Sequence, residues 1–141
     1  MSVFDSMRIS ASGLSLERLK MDIISTNVAN VNTTRTEEGG PYRRKEVLFE
    51  EALLEARRQK YGNGSFGVRV TGIAEDTENQ RFIYDPDHPD ADENGYVESS
   101  NVNLVDEMIA LLNTQRAYEA NVTVLNSSKS MLMKALEISK G

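Results

Sequence analysis

Helix breakers in this chain are confined to its middle. All three prolines (Pro41, Pro86, Pro89) and seven of the nine glycines lie between residues 39 and 95 of 141. Proline removes a backbone donor and glycine loses the most freedom on ordering, so both concentrate where helices stop. The flanks hold only Gly13 and Gly141, which predicts a long helix at each end. The expected fold is mainly α with a small β-containing insert. Long N- and C-terminal helices pack as an antiparallel coiled-coil-like pair around an irregular or β-hairpin middle. The expected boundaries are 1–34 for the N-terminal helical segment, 35–98 for the extended and β-rich middle, and 99–141 for the C-terminal helical segment.

The C-terminal segment carries the clearest periodicity. Positions 104, 108, 111, 115, 118, 122, 125, 129, 132 and 136 read Leu, Met, Leu, Gln, Tyr, Val, Leu, Lys, Leu and Leu. Alternating steps of four and three keep a seam on one helix face and seek a partner helix. Val105, Ile109 and Leu112 widen the stripe at its start. Asn103, with Asp106 three residues on, is placed to cap the helix and favour its dipole.

The N-terminal segment has two apolar rows. One runs through Phe4, Met7, Leu14, Met21 and Val28, the other through Ile9, Leu16, Leu19 and Ile23. Two rows exceed what a single partner helix covers, so a monomer that exposes the second would carry an interaction surface. The helix is expected to end near Asn30-Val31-Asn32-Thr33-Thr34, where Asn and Thr favour turns. Helices of about 28 and 37 residues would run to about 42 and 55 Å at 1.5 Å per residue. That elongation on so short a chain favours lateral assembly.

In the middle, Phe66–Ile73 alternates as a strand does, with Arg81–Tyr84 as its expected partner across a turn at Asp76–Asn79. Val47-Leu48-Phe49 and Ala52-Leu53-Leu54 read as a strand, a short helix, or one running into the other. Asp85-Pro86-Asp87-His88-Pro89 is expected to be an extended connector.

Composition excludes several chemistries. There is no Cys or Trp, a single His, and a net charge of −6. Thiolate metal sites, thiol nucleophiles and general attraction to nucleic acid are therefore disfavoured. Residues 75–107 hold eleven of the 22 acids and one base, Arg81. Asp90, Asp92, Asn94, Gly95 and Val97 are spaced as in an EF-hand calcium loop, but Asn101 stands where a bidentate Glu is needed. A solvated acidic turn is the expected state, and a calcium-responsive helical module is the alternative from another class. Arg43-Arg44-Lys45 and Arg57-Arg58 read as ion-paired with interleaved Glu, or else as meeting the acidic stretch of a neighbouring copy. No Ser–His–acid grouping, phosphate loop or dinucleotide fingerprint is present. No enzyme, cofactor or resident metal is expected. Met1–Ser6 has no basic leader, so no Sec-type signal peptide is expected.

Ala11-Ser12-Gly13-Leu14 through Leu19 to Ile24-Ser25-Thr26-Asn27-Val28-Ala29-Asn30-Val31-Asn32-Thr33-Thr34 resembles the N-terminal signature of bacterial flagellar axial proteins. Gly40–Lys45, Asp85-Pro86, His88-Pro89 and Gly95-Tyr96-Val97 resemble the small proximal-rod subunit of the flagellar basal-body rod family. Asn101-Val102-Asn103 and Arg116–Val122 match its C-terminal helix. Glu98–Asn103 and Thr114–Glu119 look more like the distal-rod subunit, but members of that group are much longer.

The resemblance implies a structural subunit of the rod, the drive shaft that transmits torque and encloses the export channel. It implies export without a cleaved signal, a periplasm-spanning location, and partners among further copies, other rod subunits, ring proteins and export-gate proteins. Its assembly-interface residues would be Leu14, Leu19, Ile23, Leu111, Tyr118, Val122, Leu125 and Leu132 in the seams. Asn27, Asn30, Asn32, Asn101 and Asn103 would shape the helix ends by bonding to backbone groups.

Overall fold

The computed structural model of the chain describes residues 3–52 and 66–140. Helix α1 (Val3–Ala29) and helix α2 (Leu104–Lys140) flank four short strands. These are β1 (Lys45–Glu51), β2 (Val68–Glu75), β3 (Arg81–Tyr84) and β4 (Tyr96–Ser99). The chain is thus mainly helical with a small β insert, as its distribution of breakers predicts. With 27 and 37 residues the helices extend about 40 and 55 Å.

Their ends follow from local chemistry. Asn30 donates its Nδ2–H to the Thr26 carbonyl at 2.9 Å and so closes the last turn of α1. Asn103 Oδ1 accepts the Val105 N–H at 3.0 Å, and Asp106 and Glu107 stand in the first turn of α2. A cap of this kind contributes about 1 kcal/mol.

The two helices pack antiparallel, and every step of seven residues along α1 is matched by seven back along α2. Ser6 Oγ lies 3.4 Å from Ser128 Oγ. A Cβ built on Gly13 would sit 3.0 Å from Asn121 Nδ2. Asn27 Nδ2 lies 3.0 Å from Glu107 Oε2. Lys20 and Thr114, which continue this register, line one shallow cleft. The centre line of the intrachain seam is therefore small and polar, and the half-buried apolar positions of α2 flank it. Gly13 permits the close approach because it has no side chain to hold the helices apart.

Burial makes the same point. Leu16 and Ile24 of α1 are 4% and 8% exposed, but no apolar side chain of α2 is buried among the described residues. Those that are buried on α2 are Glu107, Thr114 and Ser128. Tyr42, Val47, Val97 and Val102, outside the helices, are buried as well.

β1 and β2 form one antiparallel sheet with a bulge between Leu48 and Phe49, and β3 and β4 form another. The expected hairpin joining 66–73 to 81–84 does not form. The Asp76 carboxylate accepts the Glu78 N–H at 3.0 Å and the Asn79 amide at 3.2 Å, closing a turn that leads the chain away from β2. Asn101 fixes that exit by donating to the Asp76 carbonyl and accepting the Arg44 N–H.

Residues 85–91 differ from the expected extended connector as well. The His88 N–H bonds the Asp85 carbonyl and the Ala91 N–H bonds the His88 carbonyl, so the segment is a succession of turns. Proline is as well suited to such turns as to extended chain. Residues 47–49 lie in β1, while Leu53, Leu54, Arg57 and Arg58 fall outside the described residues.

The first sheet lies on α1. The Val68 N–H donates to Ser12 Oγ at 3.1 Å, and Lys20 Nζ stands 4.4 Å from the centre of the Phe49 ring. Gly67, at φ +97°, presses against Ser12, leaving no room for a Cβ.

Candidate assembly interface

Where α1, β1 and α2 meet, five residues form one polar knot. Asn27 is fully buried. Its Nδ2 donates to the Lys45 carbonyl at 2.9 Å and to Glu107 Oε2 at 3.0 Å. Its Oδ1 accepts the Tyr42 hydroxyl at 2.9 Å and the Lys45 N–H at 3.0 Å. All four hydrogen-bonding positions of the amide are thereby used. Glu107, 1% exposed, also accepts Arg44 Nε–H at 2.6 Å, which compensates a carboxylate held away from water. Burial pushes the Tyr42 hydroxyl pKa up. For Arg44 desolvation works downward, but the bond to Glu107 and its charge prevail, and the guanidinium pKa is raised.

The other asparagines of the sequence-derived set are distributed differently. Asn30 and Asn103 shape helix ends, Asn101 ties β2 to the approach of α2, and Asn32 is exposed. Asn27 reaches the backbone of β1 from within its helix, so its role includes tertiary clamping.

The apolar members stand on the shoulders of the helix pair. Leu14, Leu19 and Ile23 of α1 are half-buried, as are Leu111, Tyr118, Val122, Leu125 and Leu132 of α2. Outside them the first turns of α2 are open. Leu104, Val105, Met108, Ile109 and Leu112 are 43–63% exposed, forming a continuous apolar surface on the side away from α1. Periodicity places Leu104 and Met108 in the seam and marks Val105, Ile109 and Leu112 only as a widening of the stripe. Exposed apolar patches of this kind mark interaction surfaces.

The basic residues 43–45 are matched within the chain. Arg43 pairs with Glu98 at 2.6 Å, Arg44 with Glu107, Lys45 with Glu75 at 3.3 Å, and Arg35 with Asp90 at 3.7 Å. The basic cluster at 43–45 therefore meets the acidic stretch of its own chain, in addition to the interleaved Glu46. In the acidic turn, Asp92 Oδ1 accepts the Asn94 and Tyr96 N–H groups, and Asp90 Oδ2 accepts the Thr34 hydroxyl. Those carboxylates are engaged in shaping the backbone. Among the described residues no group of three or more His, Cys, Asp or Glu side chains is arranged to hold a metal ion. No described helix is long and apolar enough to cross a membrane.

Residues 7–35 match the family model for the flagella basal body rod protein, and residues 93–138 match that for the flagellar basal body rod FlgEFG protein C-terminal. The flagellar basal-body rod protein FlgC of Borreliella burgdorferi is 44% identical, with 100% of both chains covered. That of Bacillus subtilis is 43% identical over 99% of this chain and 100% of the relative. That of Salmonella typhimurium is 34% identical over 98% of this chain and 96% of the relative.

Proposed function

The chain belongs to the flagellar basal-body rod protein family, and from that premise we propose how its geometry serves a rod. It is a structural subunit of the proximal rod of the basal body, where it assembles with other flagellar proteins. In the proposed account it polymerises through its terminal helices with further copies and with other rod subunits, forming part of the shaft that transmits torque and encloses the export channel. Contacts to ring and export-gate proteins, a periplasm-spanning position and export without a cleaved signal belong to the same proposal.

One observation supports this most. The intrachain helix seam is small and polar, leaving the apolar side chains of α2 half-buried or exposed. Full burial of a Leu, Ile or Met contributes about 1.5–3 kcal/mol, so neighbours covering these shoulders would supply stabilisation the isolated chain lacks. Leu14, Leu19, Ile23, Leu111, Tyr118, Val122, Leu125 and Leu132 are the proposed contact positions, with Ile109 and Leu112 added from the exposed face. Ordering of the helices and polymerisation would then be coupled. Tilted, close-packed seams would resist torsion, because packed side chains do not slide continuously past each other.

Substituting Ile109→Asp or Leu112→Asp tests the reading. Both sites are more than half exposed, so the isolated chain should change in stability by no more than about 0.5 kcal/mol. Swimming should be lost while the subunit is still synthesised and exported. Normal swimming with both variants would refute the use of this face in assembly.

A further inference from the structure

The outward face of the second sheet carries aromatic rings that its own chain does not cover. Pairing sets Phe82 opposite Glu98 and Tyr84 opposite Tyr96, so these four share one face, while Ile83 and Val97 share the other. Phe82, Tyr84 and Tyr96 are 59%, 65% and 46% exposed, and the two tyrosine rings meet edge to face at 5.3 Å. The turn beyond them is ordered by its own bonds. Gly95, at φ +80°, lets the chain pass beneath Tyr84, and Asp92 accepts two backbone N–H groups across the turn.

Charge on this tip is one-sided. The nearby cations Arg35, Arg43, Arg44 and Lys45 are committed to Asp90, Glu98, Glu107 and Glu75, and Arg81 stands opposite Ser99 at the end of the strands far from the turn. Asp85, Asp87 and Glu93 remain exposed, without an ion pair to any described residue. The complement lies elsewhere in the molecule. The apolar surface of α2 through Ile109 and Leu112 runs one turn further into Arg116, which is exposed and has no ion pair among the described residues.

We propose that the aromatic and acidic face of β3–β4 docks on the Ile109–Leu112–Arg116 surface of α2 in a second copy of this chain. Aromatic rings would cover the apolar turn while the carboxylates of the tip meet Arg116, a pairing that fixes register more than it adds affinity. Ile109 and Leu112 are 53% and 56% exposed in their own chain, so its own sheet does not fill the site. The two patches are different surfaces, so the contact is heterologous and propagates from copy to copy, as a ring where its rotation closes and as an open helical array where it does not. The inference rests on the reading of the chain as a rod subunit and assigns that assembly one specific lateral contact.

The chain contains no cysteine, so crosslinking has no native background. Basal bodies assembled from the Tyr84→Cys/Leu112→Cys chain should give disulfide-linked dimers and longer multimers under mild oxidation, and either single variant should not. Assembled rods that yield only monomer would overturn the contact while leaving the rod reading intact. A charge exchange covers the case in which the cysteine pair does not assemble. Arg116→Glu should reduce swimming and flagellation, and adding Asp85→Lys/Asp87→Lys should restore them. Undiminished swimming of the Arg116→Glu strain, or failure of the exchange to restore it, would overturn the proposal.

Discussion

Glu107 of α2 and Asn27 of α1, eighty residues apart in sequence, meet at 3.0 Å in the least exposed part of the molecule. The small, polar contacts along the rest of the seam specify register weakly, since Ser, Gly and Thr offer little shape to interlock. The knot supplies what they lack. It admits only the alignment in which Glu107 faces both Asn27 and Arg44, and it fastens β1 to the same point. Buried polar groups are known to set register in helical assemblies in this way, at some expense of stability.

Glu107→Ala should therefore destabilise the isolated chain by about 2–3 kcal/mol, by leaving the Asn27 amide and the Arg44 guanidinium without their acceptor. Glu107→Gln retains an acceptor but donates an N–H toward Arg44, and should recover less than half of that loss. Thermal unfolding followed by circular dichroism at fixed pH measures both.

Gly67 and Ser12 give a second test. At φ +97° an added Cβ is strained, and here it also meets Ser12 Oγ. Gly67→Ala should cost about 1–3 kcal/mol and free the β1–β2 sheet from α1. Adding Ser12→Ala removes the collision but neither the strain nor the lost bond to the Val68 N–H. The double variant should thus stay less stable than the parent. Denaturant titration distinguishes the two contributions.

Tyr42 predicts how the knot responds to alkali. Its pKa is raised by burial in the folded chain above the ordinary 10.0, so the folded state holds the proton longer than the unfolded one. Stability is then unaffected below the unfolded value and declines as pH rises through the folded one. The Tyr42→Phe chain lacks this titration and should show a shallower decline above about pH 10, although it starts lower for want of the bond to Asn27. Unfolding free energies at several alkaline pH values for both chains test this.

The helices were legible because Pro41, Pro86, Pro89 and the clustered glycines bound them, and because Asn30 and Asn103 act through local bonds that sequence spacing reveals. The choice of seam was not. Apolar periodicity at Leu111, Tyr118 and Leu125 reports that a face is to be covered, but not whether its cover is the same chain. Strand pairing was opaque for a related reason. Nothing local distinguishes a hairpin at Asp76–Asn79 from a turn that sends Arg81–Tyr84 to a different sheet; the decision is made by Asn101, at a distance in sequence. The clamp at Asn27 was visible as a residue type within a motif, but its partners Tyr42, Lys45 and Glu107 come together only in the fold.

Hydrogen exchange measured on the same chain, dilute and purified in one sample and built into basal bodies in the other, tests the central claim most directly. The account predicts that the amides of α2 beyond the Asn27–Glu107 knot, residues 115–140, exchange much faster in the dilute chain than in the rod, because neighbours supply the burial that the polar intrachain seam does not. Equal, strong protection of α2 in the dilute chain would contradict it.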